Sequence, residues 1–139
     1  MNVIVDTSVW SLALRRRRAP RSPEAGELAE LIREGRAEML GPVRQELLSG
    51  VSNPEQYETL RTYLRAFADV DLATDDYEQA AIFFNTCRAK GVQGSNTDFL
   101  ICAAAARRRL SILTTDADFS RFAKLLPIQL QQPRDLTTG

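Results

Sequence analysis

The chain is 139 residues long, 44% hydrophobic and 26% charged, one domain's length with enough apolar content to build a core. Its acidic and basic side chains balance at 18 each, so no global field gathers nucleic acid and any phosphate binding has to be local. It contains no histidine, which excludes Ser-His-Asp and Cys-His nucleophiles, paired-histidine ribonuclease chemistry and histidine-ligated zinc.

Val3-Ile4-Val5 is a short β-branched run and predicts a buried strand. Asp6-Thr7-Ser8 follows as a capping turn into a helix carrying Val9, Trp10, Leu12 and Leu14, which ends at the Arg15–Arg18 run. Ser22-Pro23-Glu24 reads as cap, first-turn proline and first-turn acid, and Leu28, Leu31 and Ile32 give the core-facing spacing of a second helix, stopped by Gly35. A strand is predicted over Ala37 to Leu40, then a short helix from Pro42 with Val43, Glu46 and Leu47, closed by Gly50. Asn53-Pro54 starts another helix with Tyr57, Leu60, Tyr63, Leu64 and Phe67 on one face. Helices over Asp75 to Lys90 and Asp98 to Arg109 follow, separated by a loop over Val92 to Asn96. The chain closes with a strand over Leu110 to Thr114, a short helix over Phe119 to Leu125 and a strand over Ile128 to Leu130.

Strands alternating with helices predict an α/β domain with a mostly parallel central sheet and helices on both faces. No repeat or linker divides it, so residues 1–139 read as one domain. No apolar run approaches the roughly 18 residues of a membrane span. MNVIVDTS lacks the shape of a secretory signal. Cys87 and Cys102 fall in predicted helices and read as core thiols in a reducing compartment, so a cytoplasmic location is expected.

In a parallel sheet, ligands bind beyond the carboxyl ends of the strands. Asp6 leaves the first strand there, and Asp116 and Asp118 leave the Leu110–Thr114 strand in the stretch LTTDADF. Asp98 precedes the helix feeding that strand, and Glu46 lies at the edge of the buried face of its own helix. Singly, each acid could be a cap or a solvated helix residue. Together they would repel strongly in low dielectric unless a cation lay between them, and a hard ion such as Mg²⁺ or Mn²⁺ takes such oxygen ligands. Acids around Mg²⁺ are also found in aspartyl-phosphate receiver domains, but Asp6 has no adjacent second acid and no lysine follows a late strand. A non-catalytic RNA-binding module is the other alternative.

VDTS at 5–8, the Val43–Gly50 helix with Glu46, Thr97-Asp98 opening an alanine-rich helix, and TTDADF at 114–119 resemble the PIN-domain ribonucleases, and among them the VapC-type toxins of type II toxin–antitoxin pairs. The resemblance runs over essentially the whole chain. It implies a PIN-like three-layer fold and metal-dependent hydrolysis of RNA, with tRNA or ribosomal RNA as the expected substrate. Asp6, Glu46, Asp98 and Asp116 would be the catalytic acids around Mg²⁺ or Mn²⁺, with Asp118 accessory. Thr7 or Ser8, and Thr114, would supply supporting hydroxyls. Implied partners are an RNA substrate and a VapB-like antitoxin lying over Trp10, Leu14 and Leu28 to Ile32, in a homodimer or toxin–antitoxin hetero-oligomer, with no membrane. Arg15–Arg18 reads equally as a phosphate contact or as a helix end suited to the dipole; for Arg107–Arg109 the solvated helix end is the expectation.

Overall fold

The structure, a computed structural model, describes residues 1–15 and 22–134. The expectation for Arg15–Arg18 lies outside the described residues, except for the Arg15 backbone. The elements in chain order are β1 (Val3–Val5), α1 (Thr7–Arg15), α2 (Pro23–Arg33), β2 (Ala37–Glu38), α3 (Gly41–Leu48), α4 (Pro54–Leu64), α5 (Thr74–Ala89), α6 (Asn96–Arg108), β3 (Ser111–Leu113), α7 (Asp118–Leu125) and β4 (Gln129–Leu130). The sheet runs β2-β1-β3-β4 and every pairing in it is parallel, with Val3 opposite Ala37 and Ser111, and Ser111 opposite Gln129.

This order fixes the layers. From β1 the chain steps one way to β2, then back past β1 to β3 and on to β4. Parallel crossovers are right-handed, so two steps of opposite direction put their helices on opposite faces. The α1–α2 pair therefore covers one face, and α6 and α7 the other, giving the three-layer PIN-like arrangement. The point where the direction reverses lies between β1 and β3, where a crevice opens at the carboxyl ends.

Local chemistry explains most helix ends. Ser22 accepts the Ala25 N–H at 3.1 Å and Pro23 follows, so α2 starts as its sequence demands. Asn53 caps α4 through bonds of 3.0 Å from the Glu55 and Gln56 N–H groups. The predicted Ala37–Leu40 strand is cut to two residues because Met39 turns its ladder to Asp69 and accepts the Val70 N–H at 2.8 Å.

Leu28 and Leu31 face the core as their spacing predicts, and with Trp10 they are fully buried, so these three side chains form no exposed docking patch; α1 and α2 press them between each other and the sheet. Leu14, Ala29, Glu30 and Ile32 of that expected surface remain half-buried. Trp10 also stacks edge-on against Phe67 at 4.9 Å, and its Nε1–H has no partner among the described residues. The predicted face of α4 is mostly open: Leu64 is buried, whereas Tyr57 and Tyr63 are 37% and 45% exposed, since α4 packs chiefly on α3 at the rim. Cys87 and Cys102 are buried free thiols, as the reading of their helices required.

Two buried acids outside the sheet's rim each have arginine partners. Glu27 of α2 receives Arg134 Nε at 2.9 Å and Gln131 Nε2 at 3.1 Å, tying the segment after β4 to α2. Asp76, near the start of α5, receives Arg107 and Arg108 from the end of α6. The Arg107–Arg109 run is thus no simple solvated helix end; two of its three cations hold α5 antiparallel to α6.

Candidate active site

The crevice at the β1–β3 switch point is built from backbone outward. The Asp6 N–H donates to Leu113 O at 2.9 Å, so the residue leaving β1 is fastened to the end of β3. Its carbonyl takes the first helical bonds of α1, from Val9 and Trp10, which makes Asp6 the residue before that helix. Its carboxylate does not cap the helix. Asp6 Oδ2 instead accepts Ser8 Oγ–H and Thr114 Oγ1–H, each at 2.8 Å.

Those two hydroxyls are themselves oriented. Ser8 Oγ accepts the Thr115 N–H at 3.1 Å and Thr114 Oγ1 accepts the Asp116 N–H at 2.9 Å. With a lone pair of each oxygen occupied by an amide, the hydroxyl proton of each is directed at Asp6. Asp6, only 6% exposed, is thereby held in one orientation.

Asp98 is held by a different device. The helix cap is Ser95: its Oγ accepts the Asp98 N–H at 3.0 Å, and Asp98 Oδ2 accepts the Ser95 N–H at 3.1 Å. Ser95-Asn96-Thr97-Asp98 is a capping box with aspartate in the usual glutamate place, a spacing legible in the sequence but not read there. Asp116 Oδ1 accepts the Asp118 N–H at 2.9 Å at the start of α7. Glu46, exposed on α3, accepts Thr7 Oγ1–H at 2.6 Å. Thr7 and Ser8 are therefore both supporting hydroxyls, for different acids. Asp118 meets the group through its N–H, while its carboxylate forms a surface pair with Arg121 at 2.9 Å.

A common pattern results. In Asp6, Asp98, Asp116 and Glu46, one carboxylate oxygen is hydrogen-bonded and the other has no partner among the described residues. None of these four has a basic side chain in ion-pair contact among the described residues, whereas Asp76, Glu27 and Asp69 all have one. Burial pushes the Asp98 carboxyl above the usual carboxylate range; the bonds with Ser95 oppose this, and the charges of Asp6 and Asp116 add to it. Asp98 thus feels both other aspartates.

No three such groups stand around one point at ligating distance among the described residues. The donor chemistry still fits a hard divalent cation: fixed carboxylate oxygens, each with a free partner oxygen, and no cation paired with them among the described residues.

The raised Asp98 carboxyl has a consequence for stability. The folded chain binds this proton more tightly than the unfolded one, so its contribution is most favourable below the usual aspartate pKa and is lost as pH rises through the folded value. Asp98→Asn cannot ionise, and its side-chain oxygen can still accept the Ser95 N–H. In EDTA at pH 7 the variant is expected to melt at or above the wild type, with that advantage gone near pH 3.5. Asp98→Ala loses the cap as well, about 0.5–1 kcal/mol. A paired set of thermal melts decides it: an Asn variant clearly less stable at neutral pH makes capping, not charge crowding, the dominant role.

The loop before Ser95 is held by a close approach at Gly94. A Cβ there would lie 2.6 Å from Phe122 Cζ and 2.9 Å from Phe99 Cε2. Phe99 and Phe122 are fully buried with rings 4.8 Å apart, so neither can give way cheaply. Gly94→Ala is expected to destabilise by about 1–3 kcal/mol and to lower activity at temperatures where it remains folded, because the loop carries Ser95 and hence Asp98. Denaturant unfolding with an unchanged midpoint would show that the loop simply shifts.

An all-parallel sheet of this order, with helices on both faces and acids at the ends of β1 and β3, is an α/β domain of the PIN kind. The PIN domain family model matches residues 3–125, and the chain belongs to that family. Within it, the chain is 32% identical over 131 residues to the VapC ribonuclease Mb1587 of Mycobacterium bovis, an alignment covering 91% of this chain and 96% of the relative. Two solved structures share the fold: FitAcB from Neisseria gonorrhoeae (TM-score 0.74, 20% identity, 94% of this chain and 97% of that one), and VapBC2 from Rickettsia felis bound to a DNA fragment from their promoter (TM-score 0.74, 17% identity, 94% and 98%). Among the described residues no helix is long and apolar enough to cross a membrane.

Proposed function

We propose that the chain is a divalent-metal-dependent endoribonuclease toxin, cutting tRNA or ribosomal RNA in the cytoplasm and restrained by a cognate VapB-like antitoxin, as a homodimer or toxin–antitoxin hetero-oligomer. The observation that carries this is the set of four carboxylates each tied at one oxygen and, among the described residues, open at the other and without a paired cation. The resemblance to a VapC ribonuclease supports it. Asp6, Asp98 and Asp116 would hold Mg²⁺ or Mn²⁺, with Glu46 and Asp118 at the margin.

When bound, the ion supplies Lewis-acid polarisation of the scissile phosphate and a lowered pKa for an attacking water. The chain's own residues supply rigidity. Ser8 and Thr114 keep Asp6 in one orientation, Ser95 holds Asp98 at the helix start, and the Asp118 N–H fixes Asp116. Glu46, open to solvent and steadied by Thr7, is placed to orient a water or accept its proton.

The test uses protein purified free of partner and a structured RNA. Cleavage is expected with Mg²⁺ or Mn²⁺ and none in EDTA, and expression alone should arrest growth unless the neighbouring gene is co-expressed. Undiminished cleavage in EDTA removes the metal mechanism. Robust cleavage with harmless expression makes the protein a housekeeping nuclease instead of a toxin.

A further inference from the structure

An acid-lined crevice repels the polyanion it is to cut, and the net charge of zero offers no general attraction. The cations that draw RNA in must therefore be local and uncommitted. Among the described residues most are committed: Arg33, Arg36, Arg44, Arg61, Arg107, Arg108, Arg121 and Arg134 are all ion-paired with carboxylates. Among the described residues, Arg65, Arg88, Lys90, Arg109 and Lys124 form no such pair.

Their places in the fold separate them. Arg107 and Arg108, at the end of α6, grip Asp76 near the start of α5, so the two helices run antiparallel. The end of α5, with Arg88 and Lys90, therefore lies beside the start of α6, with Asp98, and the rings of Phe84 and Phe99, 5.5 Å apart, confirm that pairing. Next to Asp98, α7 packs through Phe122 against Phe99 and Gly94. Lys124 lies on α7 two positions after Phe122, on that helix's exposed face. Arg109 sits at the opposite end of α6, about 16 Å along the axis from Asp98, next to the entry of β3 and away from the carboxyl-end crevice.

We infer that the RNA backbone crosses the acid site over the Gly91–Ser95 loop, its phosphates held by Arg88, Lys90 and Lys124, in a contact that reads no sequence. This rests on the ribonuclease reading above. All three side chains are exposed, so they can reach phosphates without disturbing the core. Backbone contacts of this kind set register and affinity, not base choice.

The test is RNA binding by fluorescence anisotropy in EDTA, using a labelled mixed-sequence single-stranded RNA and Asp98→Asn protein as the common background. Each of Arg88→Gln, Lys90→Gln and Lys124→Gln is expected to weaken binding equally for unrelated sequences and to reduce the slope of log affinity against log salt by roughly 0.7–1. The triple variant should lose about 2–3 of that slope, and in the otherwise wild-type enzyme it should raise KM with kcat little changed. Arg109→Gln should match its parent in both assays. A triple variant with unchanged slope and KM overturns the path, as does an equal loss in Arg109→Gln, which would mark diffuse charge. If the wild-type enzyme cleaves no RNA in Mg²⁺ or Mn²⁺, it is the ribonuclease reading that falls, and the path with it.

Discussion

Asp6→Asn and Asp98→Asn are each expected to lower RNA cleavage in Mg²⁺ by at least about a hundredfold, since each removes a charged ligand from a shared ion. Neither change alters the shape of the site, and both leave an oxygen for the hydrogen bonds that hold the native carboxylate. The loss should be graded outward. Ser8→Ala and Thr114→Val leave every acid in place but release Asp6 from its fixed orientation, and about a ten- to hundredfold loss is expected, the range for groups that orient a ligand. Glu46→Gln should fall within the same span, since Glu46 is exposed and bonded only through Thr7. Single-turnover cleavage of one defined RNA measures the series. If Ser8→Ala is as inactive as Asp6→Asn while melting normally, the serine acts on substrate and not through the aspartate. If Asp98→Asn retains activity within a few-fold of wild type, Asp98 belongs to the helix cap alone.

The largest effect on stability is expected far from the acids, at Asp76. This carboxylate is fully buried and accepts Arg108 Nη1 and Nη2 at 2.7 and 2.9 Å, Arg107 Nη1 at 2.7 Å and the Ala73 N–H at 2.8 Å. The two arginines are a third or less exposed to solvent. The clamp is thus asymmetric. Asp76→Ala frees guanidiniums that can turn to water, whereas Arg107→Ala with Arg108→Ala strands a charge in the interior. The double arginine variant should lose about 3–5 kcal/mol, enough to drop the melting temperature by roughly 10 °C or more, and Asp76→Ala less. The Arg108 guanidinium beside Asp76 holds its carboxyl well below the usual carboxylate range. A depressed carboxyl stabilises fully above the ordinary aspartate pKa of about 3.9 and loses that contribution as pH falls through its folded value. Wild type should therefore soften in acid more steeply than Asp76→Ala. Because the clamp joins the ends of α5 and α6 remote from Asp98, the folded fraction of either variant should cleave RNA at a near-normal rate. Wild-type stability in the double arginine variant would show that Asp76 finds water or protonates without penalty.

Much of this was legible in the sequence. Short apolar runs at Val3–Val5 and before Thr114 read as buried strands, Ser22 and Asn53 announced their helices, and strand–helix alternation required a parallel sheet. The positions of Asp6 and Asp116 followed, because the residue after a parallel strand lies on the ligand-binding rim whichever strands are neighbours. What local pattern leaves undecided is which faces meet. Trp10, Leu28 and Leu31 look the same whether an apolar stripe faces a core or a partner; the pressing of α1 on α2 buried them. The exposed Tyr57 and Tyr63 show the converse, a face with core spacing left at the rim. Asp76 and Arg108 lie 32 residues apart, and only the antiparallel docking of α5 on α6 turns two unremarkable charges into a buried clamp. At the site itself, the sequence placed Asp6 directly after β1 and Asp116 just beyond β3. The tertiary structure decided how each is held, for the Ser8 and Thr114 hydroxyls, 106 residues apart, converge on Asp6 only because β1 and β3 pair side by side.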